Sequence, residues 1–317
     1  MRERTAAALA LGDRLKATAR NKGMDVNKAA SRHVAERVVH YLGEVFDHAP
    51  FVLKGGLQFP QHLRPTEDAD IVNVRRWSNR EIQNAFQLIA PKLTAEGITL
   101  KRVSPEPHVI DLEYGEPVDR YRIEAECGTI RGNTHIDVST ARGPDAWPEG
   151  IEWQTLPSML KNGPELRVRC QPLEASAAEK WLAVLMQSPT DYRVKHMADL
   201  LSFDAMDLDA GKVAAEIERV ARYRGIPMSV CAERPDTLTW AAISPRSGSW
   251  DKLRTERGFD LSLEQACTGL QAAWADVHRG LRARVVADCR RPGYRPTLLE
   301  RLAAGRAHEY RPAGEQA

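Results

Sequence analysis

The sequence lacks the cysteine pattern of a zinc or disulfide protein. Its five cysteines, Cys127, Cys170, Cys231, Cys267 and Cys289, lie far apart and form no Cys-x-x-Cys pair. Zinc knuckles need closely spaced thiols, and disulfide frameworks belong mainly to small secreted domains. We therefore expect free thiols and a cytoplasmic protein.

Long apolar runs and a strong net charge are also missing. The N-terminal Ala/Leu run is soon interrupted by Asp13, Arg14 and Lys16, and no stretch approaches the roughly 20 apolar residues that cross a bilayer. No membrane partner is expected. The formal net charge is only +2, which predicts no strong global attraction to nucleic acid but leaves room for a local basic face.

What the sequence contains is typical of an ordinary globular protein. Its 317 residues are 43% apolar and 28% charged, which suits either two domains or one domain with helical extensions. The pattern of apolar residues predicts an α+β fold with three parts: N-terminal helices over 1–50, an α/β core over 51–145 and a mainly helical domain over 146–317.

Individual elements follow from the same pattern. Ser78 as N-cap with Glu81 three residues later predicts a helix over 78–93. Alternating apolar residues and turn residues predict strands at 51–53, 69–74, 109–114, 121–127 and 134–139. Helical spacing predicts two helices between residues 5 and 46 and later ones near 175–187, 192–203, 211–225 and 262–287.

The chemistry begins at the end of the first predicted strand. Lys54-Gly55-Gly56 would let the backbone approach a phosphate and direct amide hydrogens at it. By itself such a turn is more often a simple chain reversal. Asp68 and Asp70 follow at strand spacing, so both carboxylates lie on one face. Because they would repel each other, a divalent metal between them is favoured over a solvated strand edge, and Mg²⁺ suits an oxygen site facing a triphosphate.

A third carboxylate is expected from a neighbouring strand. Asp137, flanked by Ile136 and Val138, is the best candidate. Asp111, Glu124 and Glu126 lie on adjacent predicted strands and are alternatives, as is an ordinary solvent-facing role for Asp137. His135 shares the face of Asp137, but an uninvolved histidine is the simpler interpretation.

Basic residues in the helical half offer phosphate contacts. Lys180 lies among apolar helical neighbours, so its long side chain could reach a phosphate, although a surface position explains it equally well. The same two interpretations apply to Arg193 and Lys195. The segment from Arg279 onward is rich in arginine, which weakly favours an RNA partner. A solvated helical face explains the arginines equally well.

These motifs, in this order, resemble the AbiEii/AbiGii nucleotidyltransferase toxin family of the DNA polymerase β-like superfamily. The resemblance covers roughly residues 50–205. Its blocks are Leu53-Lys54-Gly55-Gly56, Arg64-Pro65-Thr66-Glu67-Asp68-Ala69-Asp70, Ile136-Asp137-Val138, Ala178-Glu179-Lys180 and the segment from Arg193 to Asp199.

The resemblance implies a polymerase β-like mixed sheet with helices, followed by a mainly helical C-terminal domain. It implies a toxin of a toxin–antitoxin or phage-defence operon, with an antitoxin encoded nearby, that transfers nucleotides from an NTP to RNA. The tRNA 3′ end is the acceptor in some members, and translation then stops.

Residue roles are implied in the same way. Asp68, Asp70 and Asp137 would bind two Mg²⁺ ions, and Lys54, Gly55, Gly56, Lys180 and Arg193 would contact the nucleotide. Asp68, Asp70, Lys180 and Asp199 would form the catalytic set.

The chain departs from the family at two places. The fourth motif usually reads Arg-x-Lys-Asp, but His196 stands in the place of the aspartate, which leaves Asp199 as the nearest acid. Leu57 follows the glycines where the superfamily usually has a hydroxyl residue, so phosphate contacts would depend on the backbone and Lys54. Two further hypotheses stay open: a nucleotidyltransferase acting on a protein or small molecule, and a catalytically silent binding module of the same fold.

Overall fold

The computed structural model of the chain describes residues 5–44, 46, 50–59, 66–110, 117–140, 146–186, 191–204, 206–226, 228, 231, 246–258 and 260–289. Side chains are described in this part except at 107–110, 117, 186, 191–193, 204 and 285–289. The predicted strand over 109–114 and the motif residues Arg64 and Pro65 therefore lie wholly or partly outside the described residues.

Eight helices are present in the described part of the chain. They are α1 Ala6–Lys22, α2 Val26–Glu44, α3 Asn79–Ala95, α4 Leu173–Met186, α5 Asp191–Asp204, α6 Ala210–Arg224, α7 Ser247–Arg257 and α8 Leu263–Cys289. Among the described residues, no helix is both long enough and apolar enough to cross a membrane.

The strands form one mixed sheet of eight. They are β1 Phe51–Lys54, β2 Ala69–Asn73, β3 Ile98–Ile110, β4 Pro117–Cys127, β5 Ile130–Arg131, β6 Thr134–Ser139, β7 Glu152–Leu156 and β8 Leu166–Cys170. Their order is β3-β4-β6-β2-β1-β8-β7, with β5 paired to β4. The β2–β6 and β1–β8 pairs are parallel, whereas the other neighbours are antiparallel. The predicted α+β class with a mixed sheet and a helical C-terminal part is confirmed.

Local sequence explains where several helices begin and end. The Ser78 hydroxyl accepts a hydrogen bond from the Glu81 amide while the Glu81 carboxylate accepts one from the Ser78 amide, so the predicted capping box starts α3. α1 ends at Gly23, which adopts φ +61°. Glycine takes this left-handed conformation without strain, and this accounts for the predicted break between the first two helices.

The chain divides into two compact units. The first contains residues 1–142 and 149–172, and the second contains 143–148 and 173–317. The sequence placed a boundary at 145, but β7 and β8 add to the sheet of the first unit because β8 pairs with β1. Those two strands and α7 had no counterpart in the sequence prediction.

The first unit packs α1, α2 and α3 against one face of the sheet. Apolar side chains from these helices and from the strands make a continuous core that includes Leu15, Val34, Ile71, Ile89 and Ile136. On the opposite face of the sheet, β2, β4 and β6 carry polar residues at alternate positions, as expected for strands that bury only one face. The candidate site lies on this second face.

α2 is buried along most of its length and carries several charged side chains. Arg32 donates to the Glu36 carboxylate at 2.8 Å, and Glu36 also accepts from the Met159 amide at 3.1 Å. Arg37 makes two hydrogen bonds to Glu96, just after α3, at 2.6 and 2.7 Å. These partners offset the cost of burying the charges.

The second unit is helical in its described part. α4 packs against α5 and α6, and α8 packs against α5, α6 and α7. The rings of Trp181 on α4 and Trp274 on α8 are in contact in a tilted arrangement, with centroids 4.7 Å apart and an interplanar angle of 46°. Cys127, Cys170, Cys231 and Cys267, the cysteines with described side chains, are buried free thiols.

Candidate active site

The turn after β1 brings the backbone against a carboxylate. Gly55 has φ +70°, and a Cβ on it would lie 2.6 Å from Asp70 Oδ2. Any other residue would be strained by the backbone angle and would also clash with Asp70. Gly55 to Gln58 then form a single 3-10 turn.

Strand register places four charged residues in a row across the sheet. Lys54 on β1 is opposite Asp70 on β2, and Asp70 is opposite Asp137 on β6. Asp137 is in turn opposite Arg120 on β4. Residues that face each other across neighbouring strands project from the same side of a sheet. We call this set, Lys54, Asp70, Asp137 and Arg120, the charged row.

Asp68 lies beside the charged row, two positions before Asp70. Its Oδ1 accepts a hydrogen bond from the Thr66 hydroxyl, and its Oδ2 lies 3.3 Å from His135 Nε2. The same imidazole nitrogen is 3.9 Å from Asp137 Oδ2. The hydrogen bond to Asp68 raises the pKa of His135, and the negative charges of Asp68 and Asp137 add to the effect. His135 thus belongs to the site, although the sequence favoured an uninvolved histidine.

Arg120 is the site residue that sequence reasoning missed. Its Nε donates to Asp137 Oδ1 and its Nη2 donates to Asp137 Oδ2, each at 2.7 Å. This two-bond pairing raises the pKa of Arg120. In the sequence Arg120 is one of several charged residues alternating along a strand, and only the register between β4 and β6 places it opposite Asp137.

The alternatives for the third carboxylate lie elsewhere. Glu124 is opposite Arg102 on β3, and Glu126 forms an ion pair with Lys101 at 2.8 Å. Asp111 lies outside the described residues. Among the candidates with described side chains, Asp137 is therefore the one whose register places it beside Asp70.

The chemistry of the donor set fits a hard divalent cation. Asp68 and Asp70 provide carboxylate oxygens, which Mg²⁺ prefers, and the absent side chain at Gly55 leaves space that a Cβ would fill. In the described residues, however, no three His, Cys, Asp or Glu side chains form a ready metal cluster. Both oxygens of Asp137 face Arg120 instead. The residues present therefore suit Mg²⁺ at Asp68 and Asp70, whereas Asp137 is held by Arg120.

The remaining predicted site residues lie in the second unit. Lys180 is partly exposed on α4, and Arg193 is on α5 with its side chain outside the described part. Asp199 on α5 is 1% exposed, and its Oδ1 accepts a hydrogen bond from Arg257 Nη1 at 2.8 Å. His196, the alternative for the last catalytic position, is also buried. The roles of these residues stay predictions.

Part of the arginine-rich C-terminal segment has local partners. Arg279 pairs with Asp276, and Arg284 pairs with Glu218 at 2.7 Å. These two arginines therefore have partners within the protein, while residues from 290 onward lie outside the described part.

Comparison with known proteins gives one family and two related folds. The model of the family described as nucleotidyl transferase AbiEii toxin, type IV toxin–antitoxin system, matches residues 38–272. JHP933 from Helicobacter pylori is 15% identical, with 81% of this chain and 95% of that chain covered and a TM-score of 0.45.

MenT4, a nucleotidyltransferase toxin from Mycobacterium tuberculosis H37Rv, is 14% identical, with 85% of this chain and 98% of that chain covered and a TM-score of 0.49. None of the curated proteins compared with the chain matches it significantly. The family match of residues 38–272 spans the charged row, Lys180 and Asp199.

Proposed function

Because the chain belongs to the AbiEii nucleotidyltransferase toxin family, we propose that it transfers a nucleoside monophosphate from an NTP to RNA. The observation that carries this proposal is the position of Asp70, which lies beside Asp137 and against Gly55. Gly55 directly follows Lys54, the last residue of β1, which is opposite Asp70. The favoured acceptor is the 3′ end of tRNA, whose modification would block translation. A cognate antitoxin encoded nearby would neutralise the toxin, which would act in a toxin–antitoxin or phage-defence operon.

In this mechanism the carboxylates hold and orient the donor. Asp68 and Asp70 would bind Mg²⁺ with Asp137 as a third ligand, and the family motifs imply two ions. When bound, Mg²⁺ neutralises the carboxylates and stabilises the negative charge of the triphosphate. The Gly55-Gly56 backbone would approach a phosphate closely, since Gly55 has no side chain to obstruct it. Lys54 at the edge of the charged row would supply positive charge to the same phosphates.

Three further residues are assigned from the family motifs alone. We assign Lys180 and Arg193 to the triphosphate, following their positions in the family motifs. Asp199 is proposed as the last catalytic acid, with His196 as the alternative. Asp199 is buried and accepts a hydrogen bond from Arg257, so a structural role in holding α5 in place is the competing interpretation.

The first experiment tests both donor and acceptor. The purified full-length protein is incubated with Mg²⁺, total tRNA and each α-³²P-labelled NTP separately, and labelled RNA is detected on a gel. Label on tRNA with one NTP, lost in Asp68→Asn and Asp70→Asn, would support RNA nucleotidyl transfer. Glu124→Gln is the matched control, because Glu124 lies on the same face but opposite Arg102 of β3, away from Asp70, and its substitution should leave labelling unchanged.

The other acceptors and the silent-module hypothesis correspond to different outcomes. If label appears on a protein or on a small molecule instead, that molecule is the acceptor, and the proposed transfer reaction is retained. Absence of label on every acceptor tested, with unchanged folding, would favour a catalytically silent binding module.

A salt titration tests the RNA assignment independently. Binding to RNA through phosphates releases counterions, so affinity should fall by orders of magnitude between about 50 and 200 mM salt if several arginines contribute. Replacing Arg290, Arg291 and Arg295 with glutamine should flatten this dependence. An unchanged salt dependence in that variant would show that the C-terminal segment is not part of the RNA-binding surface.

A further inference from the structure

The most informative feature beyond the proposed reaction is the ion pair that Arg120 makes with Asp137. Its two hydrogen bonds, both at 2.7 Å, use both carboxylate oxygens. A planar guanidinium matches a carboxylate in this two-bond geometry, which is stronger and more directional than a single contact. An Asp137 carboxylate held in this way has both oxygens directed at Arg120.

The position of the pair gives it a functional meaning. Asp137 is opposite Asp70 in the parallel β2–β6 register, and His135 lies within 4 Å of both Asp68 and Asp137. Three carboxylates gathered on one sheet face repel each other unless positive charge lies among them. Arg120 supplies a fixed positive charge at the Asp137 end of the charged row.

We propose that Arg120 is a positioning residue that holds Asp137 in the metal-free protein and competes with the divalent cation for that carboxylate. This inference rests on the proposed function, because it assumes that Asp68 and Asp70 bind a cation. It adds that Asp137 becomes a ligand only when its pairing with Arg120 is broken. The guanidinium then lies free on the face where the donor triphosphate would bind, and it can contact a phosphate.

Two properties follow from this competition. The metal-free site is stable, because Arg120 offsets part of the carboxylate repulsion. The affinity for the cation is lower than the three carboxylates would otherwise give, because cation binding must break two hydrogen bonds. Removing Arg120 should therefore lower the stability of the metal-free protein and raise its affinity for the metal.

The test measures Mn²⁺ binding to the full-length protein without nucleotide. Free Mn²⁺ is followed by electron paramagnetic resonance, and thermal unfolding is recorded with and without Mn²⁺. In Arg120→Gln we expect Mn²⁺ binding to tighten about fivefold or more and the metal-free melting temperature to fall, with Mn²⁺ restoring much of the loss. Arg120→Lys keeps the charge but cannot make the two-bond contact, so its Mn²⁺ affinity should lie between those of the wild type and Arg120→Gln.

Two comparisons separate competition from a general effect of charge. Arg122 lies two residues further along β4 and pairs with Glu106, so Arg122→Gln removes one positive charge without freeing Asp137 and should leave Mn²⁺ affinity near that of the wild type. In an Asp137→Asn background, adding Arg120→Gln should have no further effect on Mn²⁺ affinity, because there is no carboxylate left to release.

The proposal is overturned if Arg120→Gln binds Mn²⁺ no more tightly than the wild type. It is also overturned if the gain persists in the Asp137→Asn background or if neither the wild type nor Arg120→Gln binds Mn²⁺. Failure of the proposed function is seen separately, as absence of labelled RNA in the wild type. If the wild type transfers nucleotide but Arg120→Gln leaves the Mn²⁺ affinity unchanged, the proposed function stands and only the role of Arg120 is rejected.

Discussion

Two residues in this protein, Gly55 and His33, are tightly constrained by their surroundings. At Gly55 the backbone angle and the carboxylate of Asp70 both exclude a side chain, and at His33 burial excludes a charge. Both constraints can be tested by single substitutions with clear controls.

Gly55→Ala should damage the site more than it damages the fold. A Cβ on Gly55 would lie 2.6 Å from Asp70 Oδ2, so the carboxylate must move. A displacement of about 1 Å at a reacting group can lower the rate about a hundredfold, which we expect for nucleotide transfer. The loss in unfolding free energy should include about 1–2 kcal/mol for an alanine in the left-handed region.

Gly23→Ala is the matched control for this substitution. Gly23 also has a positive φ, but nothing lies within 4 Å of its Cβ position. It should show the backbone strain in urea unfolding and retain transfer activity. Equal activity losses in the two variants would argue against a special role for the Gly55–Asp70 approach.

His33→Leu should reduce the loss of stability at acid pH. Burial lowers the pKa of His33 to about 3, and the charge of Arg37 adds to the effect. An unfolded histidine has a pKa near 6.5, so below that pH the unfolded chain binds a proton that the folded chain does not. Stability is therefore retained above about pH 6.5 and falls as the pH is lowered, by about 2 kcal/mol at pH 5.

The measurement is urea unfolding of the wild type and His33→Leu at pH 5, 6, 7 and 8. Burial raises the pKa of the neighbouring Glu36, and this acts in the opposite direction because it favours the folded state at low pH. The informative quantity is thus the difference between the slopes of the two proteins. Parallel slopes would show that His33 is not responsible for the pH dependence.

At the scale of elements, α2 and α3 are joined through charged side chains. Arg37 on α2 makes two hydrogen bonds to Glu96 at the end of α3, and Tyr41 donates to the same carboxylate at 2.6 Å. The Arg37 side chain is 3% exposed and that of Glu96 is 23% exposed. This shared carboxylate fixes the end of α3 against α2.

A double-mutant cycle should detect this connection between the helices. Removing one partner of a mostly buried pair leaves the other charge poorly solvated, so Glu96→Gln and Arg37→Met should each lower the unfolding free energy by about 2–4 kcal/mol. The double variant should lose less than the sum, with a coupling of at least about 1 kcal/mol. Additive losses in urea unfolding would show that the two side chains act independently.

At the scale of the whole molecule, the family motifs are divided between two compact units. The charged row belongs to the first unit, whereas Lys180 and Asp199 belong to the second. The two second-unit residues differ in their surroundings, since Lys180 is partly exposed and Asp199 is buried with Arg257. They should therefore respond differently to substitution.

Lys180→Met and Asp199→Asn form an informative pair. If Lys180 holds the triphosphate, Lys180→Met should lower the transfer rate by about two orders of magnitude with little change in melting temperature. Asp199→Asn should instead lower the unfolding free energy by about 3 kcal/mol, because Arg257 is left as a buried charge without its carboxylate. A stable but inactive Asp199→Asn would indicate a direct catalytic role for Asp199.

Local patterns in the sequence determined much of this protein. The Ser78–Glu81 capping box, the break at Gly23 and the helices α4, α5, α6 and α8 depend on neighbours in the chain, so spacing alone predicts them. The Gly-Gly turn and the pair Asp68 and Asp70 are likewise close in sequence, and together with the other motif blocks they carry the resemblance to the nucleotidyltransferase family.

Tertiary structure decided what depends on pairing between distant strands. The register of β2, β4 and β6 selected Asp137 over Glu124 and Glu126, brought His135 to Asp68 and placed Arg120 on Asp137. A shift of one residue in any of these pairings would turn the side chains to the opposite face, and spacing along a single strand cannot fix that register. The same reason explains why β7 and β8 were missed, since they join the first unit through the pairing of β8 with β1 and its packing against α2, both distant in the sequence.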